Sequence, residues 1–150
     1  MLRRVTTHDA LALITGDHDP ELAARLTDEL VAFNDAATGA AGRGTLSVKV
    51  TDADGELIGG LTARTWGGVC FVELLWVRPD SRAGGWGGRL LRAAEAEAAR
   101  RGCDRVTVSS FTFQAPDFYR RHGYTETGRT PGPAGHEDVH LVKSLAPTSR

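Results

Sequence analysis

The sequence predicts an α/β domain built on a mixed β-sheet, and three stretches carry that prediction. Residues 69–101 read as strand, glycine-rich turn and helix. An almost unbroken apolar run, Val69 to Val77, leads into four glycines among residues 84–88, followed by Leu90, Leu91, Ala94 and Ala98 at helical spacing. Alternating segments before it, joined by turn residues, read as an antiparallel meander. After it, Arg105 to Phe111 is a second apolar strand. A helix crosses between these two strands, so they run parallel.

Taken in order, Leu2 to Thr7 reads as a short first strand. Asp19 is a plausible N-cap with Pro20 at the first helical position. Leu22, Leu26, Leu30 and Phe33 then recur at helical spacing, an amphipathic stripe meant for a sheet, and Asn34 and Asp35 are expected to end that helix. Ala36 to Gly44 follows as a small-residue loop. Leu46 to Val50 alternates, Asp52-Ala53-Asp54-Gly55 is turn chemistry, and Leu57 to Trp66 resumes the extended pattern before Gly67-Gly68 turns into the central strand. The central helix ends at Arg100-Arg101 with Gly102 as its cap. A short helix near Ala115 to Arg121, a strand from Tyr124, a Pro131 to Gly135 loop and a last strand from His136 to Leu145 complete the chain.

Composition limits what such a domain does. At 150 residues one domain is expected, able to bury about two thirds of its unfolded surface without disulfides or metals. A net charge of −1 supplies no basic field for nucleic acid. Cys70 and Cys103 lack C-x-x-C spacing and read as reduced core thiols, which suits a cytoplasmic protein. Arg3 and Arg4 precede no apolar targeting region, and no stretch approaches the ~20 apolar residues of a membrane span. His8, His18, His122 and His140 show no metal-ligand spacing. Exposed strands would allow a homodimer, which the sequence does not establish.

The chemistry concentrates at the glycine turn. A helix starting inside a glycine-rich loop leaves backbone N–H groups unpaired and unscreened, and such a start attracts anions. The loop is not a P-loop, because Gly88 is followed by Arg89 and Leu90 rather than Lys and Ser or Thr. A dinucleotide fingerprint beginning at Gly85 and Gly87 would need glycine where Leu90 stands. Arg82, Arg89 and Arg92 crowd the positive end of the helix dipole, a conflict that a bound pyrophosphate would resolve and that solvation would also relieve.

What remains, Arg82-x-x-Gly85-x-Gly87 between Val77-Arg78-Pro79 and Leu90-Leu91, resembles the acyl-CoA pyrophosphate loop of the GNAT superfamily of N-acetyltransferases. A second segment, Phe113-Gln114-Ala115-Pro116-Asp117-Phe118-Tyr119 with Gly123-Tyr124, resembles the family segment in which Asn, Ala and Tyr precede Gly-Phe. Thr112 stands where that Asn is frequent, and Ala83 and Trp86 replace a frequent glycine and a smaller residue.

The resemblance implies a mixed sheet of about six or seven strands flanked by about four helices. It implies transfer of an acetyl group from acetyl-CoA to an amine within a ternary complex, with no metal. Residues 82 to 88 (Arg82, Ala83, Gly84, Gly85, Trp86, Gly87, Gly88) would hold the pyrophosphate, and the backbone of Leu75, Trp76 and Val77 the pantetheine arm and thioester. Tyr119 would lie beside the cofactor and protonate the departing sulfur; its plainer reading is an ordinary helix tyrosine.

Glu73 is the only charge inside the Val69 to Val77 run. Desolvated there, its pKa would rise towards that of a useful base, as the family position implies; paired with an arginine, it would be structural. Asn34, near the segment that lines the family's acceptor site, and His136, after a rigid loop, are the acceptor-side candidates, each equally readable as a local structural residue. A small-molecule amine is the favoured acceptor, since no acidic stretch offers itself to basic peptides. A lysine or N-terminal protein acetyltransferase, and a non-catalytic acyl-CoA-binding module, stand as alternatives.

Overall fold

The computed structural model describes residues 11–39 and 43–146, which fall into two units, Met1–Gly39 and Ala40–Arg150. The first contains helix α1 (Pro20–Thr38). Its start is the expected one: Asp19 is extended, and its carboxylate accepts from the Leu22 N–H at 3.0 Å. Its end is not, because the helix runs through Asn34 and Asp35. Thr38 Oγ1 donates to the Asn34 carbonyl at 2.7 Å, and Gly39, at φ 64°, supplies the left-handed stop. Ala36 and Ala37 favour helix, so the chain continues until a residue tolerates that turn. The expected strand Leu2 to Thr7 lies outside the described residues, as do residues 40–42 of the small-residue loop.

The second unit is a six-stranded mixed sheet in the order β1-β2-β3-β4-β6-β5. Its strands are β1 (Gly44–Thr51), β2 (Leu57–Trp66), β3 (Val69–Val77), β4 (Arg105–Phe111), β5 (Thr125–Pro131) and β6 (Glu137–Ser144). Every pairing is antiparallel except β3 with β4, the pair separated by helix α2 (Trp86–Arg100). The β1–β2 turn forms because Asp52 Oδ1 accepts from both Asp54 N and Glu56 N at 2.9 Å, with Gly55 at φ 81°.

α2 lies on β1, β2 and β3, and its buried stripe of Leu90, Leu91, Ala94 and Ala98 is the one its spacing predicts. Leu61, Cys70, Val106, Val139 and Leu141 meet that stripe from the sheet. Cys70 and Cys103 are both buried and unbridged, and burial pushes the Cys70 thiol up to about 11. No helix among the described residues is long and apolar enough to cross a membrane.

Two irregularities place the site. Parallel pairing of β3 with β4 covers only Val69↔Arg105, Cys70↔Val106 and Phe71↔Thr107, although β3 continues to Val77 and β4 to Phe111. On the other edge of β3, Ala63 pairs with Val72 and Thr62 with Leu74, so Glu73 is an extra residue, a β-bulge. A bulge bends its strand, and this one sits where β3 leaves β4.

Candidate active site

The gap between the parted strands opens into a cavity of about 850 Å³. β3 contributes Val72 to Val77, β4 contributes Val108 to Ser110, and the start of α2 contributes Gly85, Gly87, Gly88 and Arg92. Helix α3 (Pro116–Arg121) supplies Phe118 and Tyr119, and Ser110 ties it to β4 by accepting from the Ala115 N–H at 3.1 Å.

The glycine loop is more ordered than an open turn. Pro79–Gly84 forms a 3₁₀ turn, Gly85 is left-handed at φ 73°, and α2 begins at Trp86. Gly85 carries no side-chain cap for the new helix. Gly87 and Gly88 are needed for packing as well as for access. A Cβ on Gly87 would stand 3.3 Å from Phe118, and one on Gly88 2.8 Å from the His122 ring. Gly87 and Gly88 therefore present backbone rather than side chains to the cavity, an arrangement suited to an anionic group.

The three arginines divide. Arg82 Nε donates to the Val77 carbonyl at 3.0 Å, linking loop to strand end, and Arg92 lines the cavity. Arg89 turns away and lies 3.9 Å over the Trp86 ring. Of the loop residues expected to hold a ligand, Arg82, Gly85, Gly87 and Gly88 line the cavity, whereas Ala83, Gly84 and Trp86 do not. Trp86 is directed to Arg89, and the 3₁₀ turn carries Ala83 and Gly84 past the opening. Leu75, Trp76 and Val77 line it.

Tyr119 is 6% exposed, packed edge-on against Phe118 and Tyr124 at centroid distances of 5.1 and 5.5 Å. Burial pushes its phenol up to about 12, so it holds its proton throughout the neutral range. Tyr124 does not share the cavity. Its hydroxyl donates to the buried Glu95 at 2.7 Å, Lys143 Nζ bonds the other carboxylate oxygen at 3.0 Å, and burial plus that carboxylate push the Tyr124 phenol up.

Glu73 lines the cavity, but the expectation of a desolvated carboxylate is corrected. Its side chain is 44% exposed and ion-paired with Arg64 at 3.1 Å, because the bulge turns it out of the apolar run. His136 is not a cavity residue: its ring packs edge-on to Phe113 at 5.0 Å and its Nδ1 meets Thr112 Oγ1 at 3.1 Å. Phe113 takes the cavity position instead. Asn34 belongs to the first unit, where only its helical role is described.

Sequence reasoning passed over Ser109, Ser110, Gln114, Phe118 and His122, all of which line the cavity. Gln114 Oε1 accepts from Phe111 N at 2.8 Å and Ser110 from Ala115 N, so these two shape the β4–α3 turn. The available signal was polar residues, Ser109 and Ser110, closing an apolar strand just where it should leave its partner.

A mixed sheet parted between its two parallel strands, beside a glycine-rich helix start, is the acyl-CoA N-acyltransferase architecture. The chain belongs to the acetyltransferase (GNAT) family, whose model matches residues 9–124, and it is an acetyl-transferring enzyme. It is 34% identical over 110 residues to an acetyltransferase of Agrobacterium fabrum, covering 73% of this chain and 80% of the relative. It is 42% identical over 93 residues to the blasticidin-S acetyltransferase of Streptomyces morookaense, covering 61% and 68%. A crystal structure of an acetyltransferase from Bacillus cereus superposes with a TM-score of 0.79 at 27% identity, covering 89% of this chain and 98% of that one.

Proposed function

We propose that this enzyme transfers the acetyl group of acetyl-CoA to a primary amine of a small molecule, by direct attack within a ternary complex. One observation carries the reading: the parted strands, the unscreened helix start and the buried, protonated Tyr119 all face one cavity. The backbone N–H groups at Gly85, Gly87 and Gly88, with Arg82, would hold the pyrophosphate. The β3 backbone at Leu75 to Val77, released from β4, has the pairing capacity to bind an extended pantetheine arm and polarise the thioester. Tyr119 gives its proton to the departing sulfur.

Glu73, paired with Arg64 at 3.1 Å, lines the cavity, which suits it to attract the acceptor's ammonium group. The small-molecule preference is supported by the relative that acts on blasticidin S. The family model runs from residue 9 to 124, across both units, which supports reading the chain as one domain.

The test is calorimetric titration with acetyl-CoA, followed by thiol release with blasticidin S, a panel of primary amines and lysine peptides. Micromolar acetyl-CoA binding with turnover of an amine is the expected result. Turnover of peptides alone would transfer the proposal to a protein acceptor, and failure to bind acetyl-CoA, CoA or longer acyl-CoAs would remove it.

A further inference from the structure

A hydrogen-bonded chain crosses three strands and ends in the cavity. Ser109, on β4, lines the cavity, and its Oγ lies 2.8 Å from Nδ1 of His140, its register partner on β6. Nε2 of His140 lies 2.5 Å from Thr130 Oγ1 on β5. Both ring nitrogens are thus held, and one hydroxyl of the set faces the space where an acceptor must enter. The flanking residues Val108 and Ser110, and Val139 and Leu141, are buried on the opposite face of the sheet. Alternation therefore puts Ser109 and His140 side by side on one face.

On the reading given above, the acceptor arrives as an ammonium ion and must lose a proton before its nitrogen can attack. Glu73 is already engaged by the Arg64 guanidinium at 3.1 Å, whereas Ser109 is backed by an imidazole. We infer that Ser109 and His140 are the proton exit: the acceptor gives a proton to Ser109 Oγ as Ser109 passes its own to His140 Nδ1. The path uses the tautomer with the resting proton on Nε2, donated to Thr130, so that Nδ1 is free to receive. The resulting imidazolium has both N–H groups bonded, one to Ser109 and one to Thr130.

The free amine then forms the C–N bond and the C–S bond breaks. The second nitrogen proton, released as the intermediate collapses, replaces the one Tyr119 gives to sulfur, and His140 returns the first to solvent. The ionisable groups on the same face of these strands are Asp138 on β6 and, further along β4, Arg105, which is paired with Asp104 at 2.7 Å. Across the cavity stands Glu73. Ser109 is the catalytic residue of this path, and His140 acts through it.

The experiment uses two nucleophiles that fit any acceptor pocket, water and hydroxylamine, with acetyl-CoA as donor and thiol release as readout. Water must lose a proton to attack, whereas hydroxylamine at neutral pH already has an unprotonated nitrogen. Ser109→Ala and His140→Gln are expected to slow hydrolysis by about 10²-fold, within the usual range for general-base catalysis. They should remove the acidic limb of its pH profile, leave transfer to hydroxylamine within about twofold, and leave acetyl-CoA affinity unchanged. Ser109→Thr, which keeps the hydroxyl, should retain hydrolysis, and the ¹⁵N shifts of the His140 ring should show the proton on Nε2.

Hydrolysis and its acidic limb unchanged in both variants, equal losses with both nucleophiles, or a ring proton on Nδ1 would each overturn the relay while the acetyltransferase reading stands. Failure of the wild-type protein to bind acetyl-CoA would instead sink the reading beneath it.

Discussion

Arg64 Nε stands 3.1 Å from Glu73 Oε1, reaching across from β2 to the bulged residue of β3, with its guanidinium 5.6 Å from the Phe71 ring. The pair fixes a carboxylate at the cavity edge. Being largely exposed, it should contribute only about 0–1 kcal/mol to stability.

Glu73→Gln therefore tests recognition against chemistry. It should raise the KM for a cationic amine several-fold more than it lowers kcat, leaving the acidic limb of kcat/KM in place. Initial rates across pH decide the matter, and loss of that limb would make Glu73 the base after all.

Tyr119 and Tyr124 are the only tyrosines in the chain, and burial raises both phenols. A pH titration of phenolate absorbance on the folded protein should show no ionisation at the ordinary value near 10. An unfolded chain ionises near 10 while Tyr119 waits until about 12, so its stabilising effect is complete below 10 and is lost as pH rises through 12. Tyr119→Phe should flatten the alkaline loss of stability in that window and, separately, lower kcat by about 10–10²-fold with acetyl-CoA binding preserved. An unchanged kcat across pH would remove its role as acid.

Gly87→Asp should abolish acetyl-CoA binding while far-UV circular dichroism stays native. The new side chain starts 3.3 Å from Phe118 and would place a negative charge where the proposed pyrophosphate site lies. Arg82→Ala should weaken binding by about tenfold, one charge-assisted contact's worth. Calorimetry reads both, and unaltered affinity in Gly87→Asp would mean that the phosphates lie elsewhere.

Glu95→Ala should destabilise the fold by about 2–4 kcal/mol, measured by denaturant unfolding. It strands the Tyr124 hydroxyl and Lys143 ammonium that share this buried carboxylate. Glu95→Gln, which can still accept from one of them, should cost less. Its effect on kcat should be small, because Tyr124 lies outside the cavity wall.

Local pattern carried most of the architecture. The Asp19 cap, the apolar run of β3, the α2 stripe and the Asp52 turn are each written within about ten consecutive residues, where side-chain period and turn chemistry act directly. The parallel pairing of β3 and β4 followed from a crossover helix, and the start of α2 inside the glycine turn from the glycines themselves. Where local reading erred, it judged one residue without its distant neighbours. Asn34 and Asp35 looked like a helix end until Gly39 proved to be the stop. Glu73 was readable as a desolvated carboxylate until Arg64, on the neighbouring strand, proved to be its partner.

The site itself depended on registration between strands. Where β3 parts from β4, which residue bulges, and whether Glu73 meets Arg64 or an apolar wall are settled by pairing with β2. The Ser109–His140 contact joins residues 31 positions apart, and Tyr124–Glu95 joins residues 29 apart. The amino-acid order alone was enough for most of the elements and for the family, since each arises from short-range periodicity, backbone freedom or a contiguous motif. The ionisation and partners of the cavity's polar side chains belong to the tertiary structure, because solvent exposure and charge pairing exist only once distant strands have come into register.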